Sequence, residues 1–150
     1  TESIIQDELV FIVPPFHQWA KKKVVSILEI TKEPFILREE GSGTRQMIEK
    51  YLLSHGINTG DMRIALVLGS TESIKQAVEN GIGVSIVSKW AARKEVKYGS
   101  LKLITPKEEK IYRNFSLIMQ KTAVLSHAVD EFLAYLKAYP YDNLLSESKS

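Results

Sequence analysis

The chain has no cysteine, which excludes disulfide bonds and thiolate chemistry. Its three histidines, His17, His55 and His127, lie in separate segments, none at metal-ligand spacing, so we expect no metal site and no cofactor. The net charge is also small, because 20 basic residues nearly cancel 18 acidic ones and leave +2. Such a balance gives little electrostatic attraction to nucleic acid or to anionic lipid.

Long apolar runs are missing as well. No uninterrupted apolar stretch is long enough to span a bilayer, and no signal-peptide pattern opens the chain. We therefore expect no membrane partner and a cytoplasmic location. What remains is typical of a single globular domain with a proper core: 150 residues, of which 44% are hydrophobic and 25% charged.

The most informative motif is a turn of glycine and hydroxyl residues, Gly41-Ser42-Gly43-Thr44-Arg45. It follows the apolar run 34–37 and precedes apolar residues at helical spacing within 47–52. A strand that turns directly into a helix here leaves unpaired backbone N–H groups, hydroxyls and the positive end of a helix dipole together. This combination favours a carboxylate or small oxyanion. An ordinary capped turn, satisfying only its own backbone, is the alternative.

A second turn of the same kind follows residues 64–68, which read as a buried strand. The turn is Gly69-Ser70-Thr71-Glu72-Ser73, and helical spacing continues to residue 80. Turns at the carboxyl ends of parallel strands lie at the same end of an open α/β sheet. The sequence therefore predicts that the two turns converge on one cleft.

Strands and helices alternate through the chain, which indicates an α/β protein. Further strands are expected over 9–13, 83–87, 101–104 and 112–119, the third alternating as an edge strand would. Further helices are expected within 88–98, with Trp90 on its inner face, and from about Ser126. The last carries an apolar stripe of Val129, Phe132, Leu133 and Leu136 and stops at Pro140.

A helix-turn-helix that contacts nucleic acid directly is a competing interpretation of residues 76–90. Ala77 with Gly81 four residues later matches its spacing, and Lys89 and Arg93 would supply phosphate contacts. Against it, the β-branched residues within 84–87 favour a strand where the recognition helix is needed. The small net charge argues the same way.

An enzyme is not indicated. Ser42 stands in no Gly-x-Ser-x-Gly elbow and has no evident histidine–acid partner, so we expect no catalytic residues. Arg38 and Arg45 are the candidates for binding a carboxylate through two parallel hydrogen bonds, and structural ion pairs beside the turn are the alternative. Glu39 and Glu40 would tune the site or reach a cationic group, although a solvated pair is the simpler interpretation.

Three segments carry a resemblance to a known family: residues 35–45 (FILREEGSGTR), 70–75 (STESIK) and 78–87 (VENGIGVSIV). Together they resemble the effector-binding domain of LysR-type transcriptional regulators, and the match continues to residue 132. The resemblance implies a type 2 periplasmic-binding-protein-like α/β fold, with one complete subdomain and a partial second one. It also implies a small anionic metabolite as effector. The expected effector-binding residues are Ser42, Gly43, Thr44, Arg45, Ser70, Thr71 and Glu72.

The resemblance also divides the chain. Residues 1–34 and 118–150 would be a remnant of subdomain I, and residues 35–117 would form subdomain II. The winged helix-turn-helix of the family is expected to be absent from this chain, so promoter DNA would be contacted only through that missing domain. Strand edges without their usual neighbours favour self-association, as a dimer or tetramer. A periplasmic-type solute-binding protein is the alternative function.

Overall fold

The computed structural model describes residues 2–119 and 126–141. Its strands are β1 (Glu2–Val13), β2 (Val24–Val25), β3 (Phe35–Arg38), β4 (Ile64–Leu68), β5 (Ser85–Ser88), β6 (Lys102–Pro106) and β7 (Ile111–Leu117). Its α-helices are α1 (Gly43–Ser54), α2 (Thr71–Glu79), α3 (Arg93–Tyr98) and α4 (His127–Ala138). Short 3-10 helices cover Ile27–Lys32 and Thr59–Asp61.

Contacts divide the chain into two compact units, Glu8–Ile111 and Thr1–Asp7 with Tyr112–Ser150. In the larger unit, β1 is antiparallel to both β5 and β6, with Leu9 opposite Ser88 and Phe11 opposite Ile104. In the smaller unit, the carboxylate of Asp7 binds Nε and Nη2 of Arg113, each at 2.8 Å. The predicted assignment of residues to subdomains I and II stays a prediction.

The strand β6 lies inside its sheet, between β2 and β1. The prediction of an edge strand over residues 101–104 was therefore wrong. Its neighbour β2 is only Val24–Val25, paired in parallel with Thr105 and Pro106. Two residues are too short to show any periodicity, so this partner gave no signal in the sequence.

A two-stranded parallel sheet of β3 and β4 supports the two turns. Side chains alternate along β3, so that Phe35 and Leu37 enter one apolar cluster and Ile36 enters another. The first cluster includes Ile48 and Leu52 of α1, and the second includes Ile74 and Val78 of α2. The strand β3 is thus covered by one helix on each face, which buries Phe35 and Ile36 completely.

The strand β4 has the predicted bounds but not the predicted burial. Val67 is 52% exposed and Leu66 36% exposed. Among the described residues, β4 pairs only with β3, so it closes this small sheet on one side. A short apolar run does not distinguish such a strand from a buried central one, because both lack alternation.

The segment 76–90 is not a helix-turn-helix. The helix α2 ends at Glu79, and residues 85–88 form β5, which pairs with β1 where a recognition helix would be needed. The backbone passes so close to Pro34 at position 83 that only glycine fits, because a Cβ atom there would lie 2.4 Å from the Pro34 carbonyl oxygen. The competing interpretation was therefore wrong, for the reason that its β-branched residues indicated.

The last two helices are short or exposed. The helix α3 begins only at Arg93, whose guanidinium lies 3.6 Å from the ring centre of the half-buried Trp90. In α4, Phe132 is 58% exposed and Val129 40% exposed, so its apolar stripe is not covered within its unit. Within residues 2–119 and 126–141, no helix has the length and apolarity to cross a membrane.

Candidate functional site

The two predicted turns lie at the same end of the β3–β4 sheet. The strands are parallel, Arg38 is paired with Leu68 at their carboxyl ends, and the Glu39 N–H donates to the Leu68 carbonyl at 3.1 Å. The chain then enters α1 at Gly43 and α2 at Thr71. The two turns, each leading into a helix N-terminus, therefore share one end of the sheet, as predicted, and their convergence on one cleft stays a prediction. We name the residues Ser42, Gly43, Thr44, Arg45, Ser70, Thr71 and Glu72 the two-turn site.

Ser42 caps α1. Its Oγ accepts a hydrogen bond from the Arg45 N–H at 3.3 Å, and its backbone N–H donates to the Glu39 carbonyl at 3.3 Å. Gly41, just before it, has φ of +88°, a left-handed conformation that favours glycine. Gly43 is exposed and Thr44 half-buried in the first turn of α1. The capping interpretation thus describes Ser42, which is buried.

Ser70 caps α2 in the same manner. Its Oγ accepts from the Ser73 N–H at 3.1 Å and donates to the Ser73 hydroxyl at 2.9 Å. Glu72 lies in the first turn of this helix, where the helix dipole stabilises a negative charge. Its carboxylate is 2.9 Å from Lys75 Nζ. The second turn therefore has the same cap and opens at the same end of the sheet as the first.

Arg38 joins the two turns. Its Nη1 donates to Thr71 Oγ1 at 3.3 Å, and its Nε and Nη2 donate to the two carboxylate oxygens of Glu39 at 2.7 and 3.0 Å. The hydrogen bond to Glu39 raises the pKa of Arg38, and the same bond lowers the pKa of Glu39. The sequence nominated Arg38 as an anion partner but not its contact with Thr71, which depends on the pairing of β3 with β4.

Arg45, in the first turn of α1, connects this helix to the end of β3. Its Nε donates to Glu49 Oε1 at 2.7 Å, one helical turn later, and its Nη1 donates to the Arg38 carbonyl at 3.2 Å. Its Nη2 lies 4.0 Å from the exposed Glu40 carboxylate. Arg45 within the two-turn site and Arg38 next to it are therefore both paired with carboxylates, and an added anion would compete with those carboxylates for the guanidinium groups.

Lys75 is a buried charge behind the second turn that the sequence analysis missed. It is 4% exposed, and its Nζ donates to the Ala91 carbonyl at 2.9 Å and to Glu95 Oε1 at 2.8 Å. Burial opposes its charge, but the bonds to Glu95 and Glu72 outweigh burial and raise the pKa of Lys75. This ammonium group ties α2 to α3 and holds the helix that carries Thr71. Its position within the apolar face of α2 gave no usable signal.

No three His, Asp or Glu side chains in residues 2–119 and 126–141 come together in an arrangement that could hold a metal ion. The arrangement can instead bind an anion, since it combines helix N-termini, hydroxyl groups and guanidinium groups.

Residues 1–140 match the LysR substrate binding domain family. This chain belongs to that family. Among the relatives of this LysR substrate-binding domain is the uncharacterized HTH-type transcriptional regulator MJ0300 of Methanocaldococcus jannaschii, 35% identical over 131 residues. That match covers 87% of this chain and 44% of the relative. The HTH-type transcriptional activator CmpR of Synechocystis is 33% identical over 135 residues, which is 90% of this chain and 43% of the activator. The domain thus spans less than half the length of these regulators.

Solved structures have the same fold. The CcmR regulatory domain of Synechocystis, solved in complex with 2-PG, has a TM-score of 0.82 and 32% identity, and covers 91% of this chain and 64% of its own. The effector binding domain of QuiR in complex with shikimate has a TM-score of 0.80 at 20% identity, covering 94% of this chain and 65% of its own. The predicted LysR family and type 2 periplasmic-binding-protein-like α/β fold are confirmed.

Proposed function

We propose that this LysR substrate-binding domain senses a small anionic metabolite and regulates a DNA-binding transcriptional regulator. Binding would be transmitted to promoter DNA through rearrangement of a dimer or tetramer. The DNA contact would be made by a separate winged helix-turn-helix domain, in the cytoplasm, and the domain itself would catalyse no reaction. The proposed subdomains are residues 35–117 as subdomain II and residues 1–34 with 118–150 as part of subdomain I.

One observation carries the proposal: two capped helix N-termini open at the same end of the sheet and are linked by Arg38 Nη1 and Thr71 Oγ1 at 3.3 Å. Backbone N–H groups at helix N-termini favour negative charge, and the two N-termini here would act on one guest. The two-turn site residues are the proposed contacts. Ser42 and Thr71 would donate through hydroxyl groups, and the first-turn amides of α1 and α2 would bind acidic oxygens.

The class of guest is supported by a relative. The CcmR regulatory domain, at 32% identity, was solved with 2-PG (2-phosphoglycolate), which carries both a carboxylate and a phosphate group. We propose small carboxylic acids and their phosphate esters as effectors of this domain. Uncharged metabolites would gain little from the helix dipoles.

Thermal melting tests this proposal. The domain is heated with 2-phosphoglycolate, with shikimate or with inorganic phosphate, at an ionic strength held constant with sodium chloride. A ligand that binds the folded state at 100 times its Kd adds about 2.7 kcal/mol of stability, which raises the melting temperature by roughly 5–10 °C in a domain of this size. No shift with any acid or phosphate ester in a broad set of such compounds would contradict the proposal.

Two variants locate the binding. Ser42→Ala with Thr71→Ala is expected to reduce the ligand-induced shift, measured from the melting temperature of that variant without ligand. The matched control is Ser54→Ala with Thr31→Ala, which also removes one serine and one threonine hydroxyl. Ser54 Oγ contacts the Tyr51 carbonyl and His55 Nδ1, and Thr31 Oγ1 donates to the Leu28 carbonyl. An equal loss in the control pair would place the binding elsewhere.

A further inference from the structure

The pairing of Arg38 with Glu39 copies the contact that an anionic ligand would make. Nε and Nη2 of one guanidinium meet the two oxygens of one carboxylate at 2.7 and 3.0 Å, the two-point geometry by which arginine binds carboxylates and phosphates. The third nitrogen, Nη1, is directed to Thr71 Oγ1 on the second turn. The side chain of Glu39 therefore occupies the position on Arg38 where an acidic group of a ligand would bind.

The two partners differ in how firmly they are held. The Arg38 side chain is 18% exposed and has a separate anchor in Thr71, whereas the Glu39 side chain is 43% exposed. Neighbouring side chains in a strand point to opposite faces, so this pair forms only because β3 ends at Arg38. Moving the carboxylate into water would thus leave the guanidinium between the two turns.

We propose that Glu39 is an internal competitor that occupies the anion-binding nitrogens of Arg38, and that an anionic effector binds by displacing it. This inference rests on the proposed function and names the residue that sets its charge requirement. A guest must outcompete a single carboxylate that is tethered next to the arginine. A phosphate dianion meets that requirement better than a monocarboxylate, because its second charge strengthens the attraction to the guanidinium.

Three proteins test the competition with inorganic phosphate as the probe: the unaltered domain, Glu39→Gln and Glu40→Gln. Glu40→Gln is the matched control, because it removes the same charge from a side chain that is 92% exposed and 4.0 Å from Arg45. Phosphate is titrated at constant ionic strength, and the melting temperature is followed. Exposed ion pairs are weak, so the apparent Kd for phosphate, obtained from the rise of the melting temperature with phosphate concentration, is expected to fall about two- to fivefold in Glu39→Gln. Glu40→Gln is expected to stay within about twofold of the unaltered domain.

The double variant Arg38→Gln with Glu39→Gln completes the test. The tighter phosphate binding expected of Glu39→Gln should be absent from this double variant, since Glu39 competes only by occupying the Arg38 guanidinium. An unchanged or weakened response in Glu39→Gln, an equal gain in Glu40→Gln, or a gain that survives the loss of Arg38 would overturn the inference. A lack of phosphate response in every protein would also overturn it.

These outcomes separate the inference from the proposed function. If the unaltered domain responds to an acid or phosphate ester while Glu39→Gln gives no gain, effector sensing stands and the competitor is rejected. If only Glu39→Gln responds to phosphate, the competitor is supported, even where no organic acid binds the unaltered domain.

Discussion

At the scale of the residue, this domain places charges where the fold needs them as well as where a ligand would meet them. Arg45 belongs to the two-turn site and Arg38 lies beside it, and each is paired with a carboxylate. Lys75 lies one helical turn beyond Thr71 and is buried with Glu95, whose Oε2 atom is buried and has no hydrogen-bond partner in the described residues. The site is therefore supported by ion pairs, and removing one of them should measurably lower the free energy of unfolding.

Removing the buried ammonium group should destabilise the domain. In Lys75→Met, the Glu95 carboxylate keeps its partial burial but loses its partner, an effect worth about 2–4 kcal/mol for such pairs. Urea unfolding measures the loss. Lys97→Met serves as the control, because it makes the same change on the exposed side of α3 and should alter stability by less than about 0.5 kcal/mol. Equal losses in the two variants would show that the buried pair contributes nothing particular.

A second residue-scale prediction concerns pH. Glu108 accepts hydrogen bonds from the Ser26 hydroxyl at 2.7 Å and the Ile27 N–H at 2.9 Å. Burial opposes its charge, but these bonds outweigh it and lower the pKa of Glu108 below its ordinary value of 4.5. Because the folded-state pKa is depressed, the stabilisation is complete well above pH 4.5 and is lost as pH falls through the folded-state value.

The matching experiment compares Glu108→Gln with Glu109→Gln in urea. Glu108→Gln should cost about 0.5–1 kcal/mol at pH 7 and progressively less as the pH falls through the folded-state pKa, below which the native carboxyl group is also protonated. Glu109→Gln should cost less stability, because the Glu109 side chain is 71% exposed. A penalty for Glu108→Gln that grows as pH falls would contradict the sign of the shift.

At the scale of the element, the start of each site helix could be predicted from the sequence, and the surroundings of each strand could not. Ser42 and Ser70 mark where α1 and α2 begin because capping is a local effect, visible within four residues. The burial of β4 and the position of β6 depend on which strand lies alongside, and local patterning contains no such information. The contact of Arg38 with Thr71 was hidden for the same reason.

Gly83 gives an element-scale prediction. It lies where β3 and β5 approach, and an added methyl group would meet the Pro34 carbonyl oxygen at 2.4 Å. Gly83→Ala should therefore force the backbone apart and cost about 1–3 kcal/mol in urea unfolding. Gly69→Ala is the control, since nothing lies within 4 Å of a Cβ atom there and its φ is not positive. A Gly83→Ala variant as stable as Gly69→Ala would show that this approach can relax freely.

At the scale of the whole molecule, the parallel pairing of β3 with β4 brings two turns that are distant in the sequence to one end of a sheet. The chain spans less than half of the regulators MJ0300 and CmpR, and the DNA contact and the transmission of a signal are proposals. The motifs of residues 35–45, 70–75 and 78–87, taken together, were sufficient to predict the family and the fold. They were not sufficient to predict which acid the domain would bind, because helix amides and arginines donate hydrogen bonds to many kinds of acidic group.

The central claim is that one anion contacts both turns, and NMR titration tests it most directly. The backbone amides of a 15N-labelled domain are followed while 2-phosphoglycolate is added at constant ionic strength. We predict that the amides of Thr44 and Glu72 shift together with a single Kd. Shifts confined to one turn, or to residues away from both, would contradict the two-turn site.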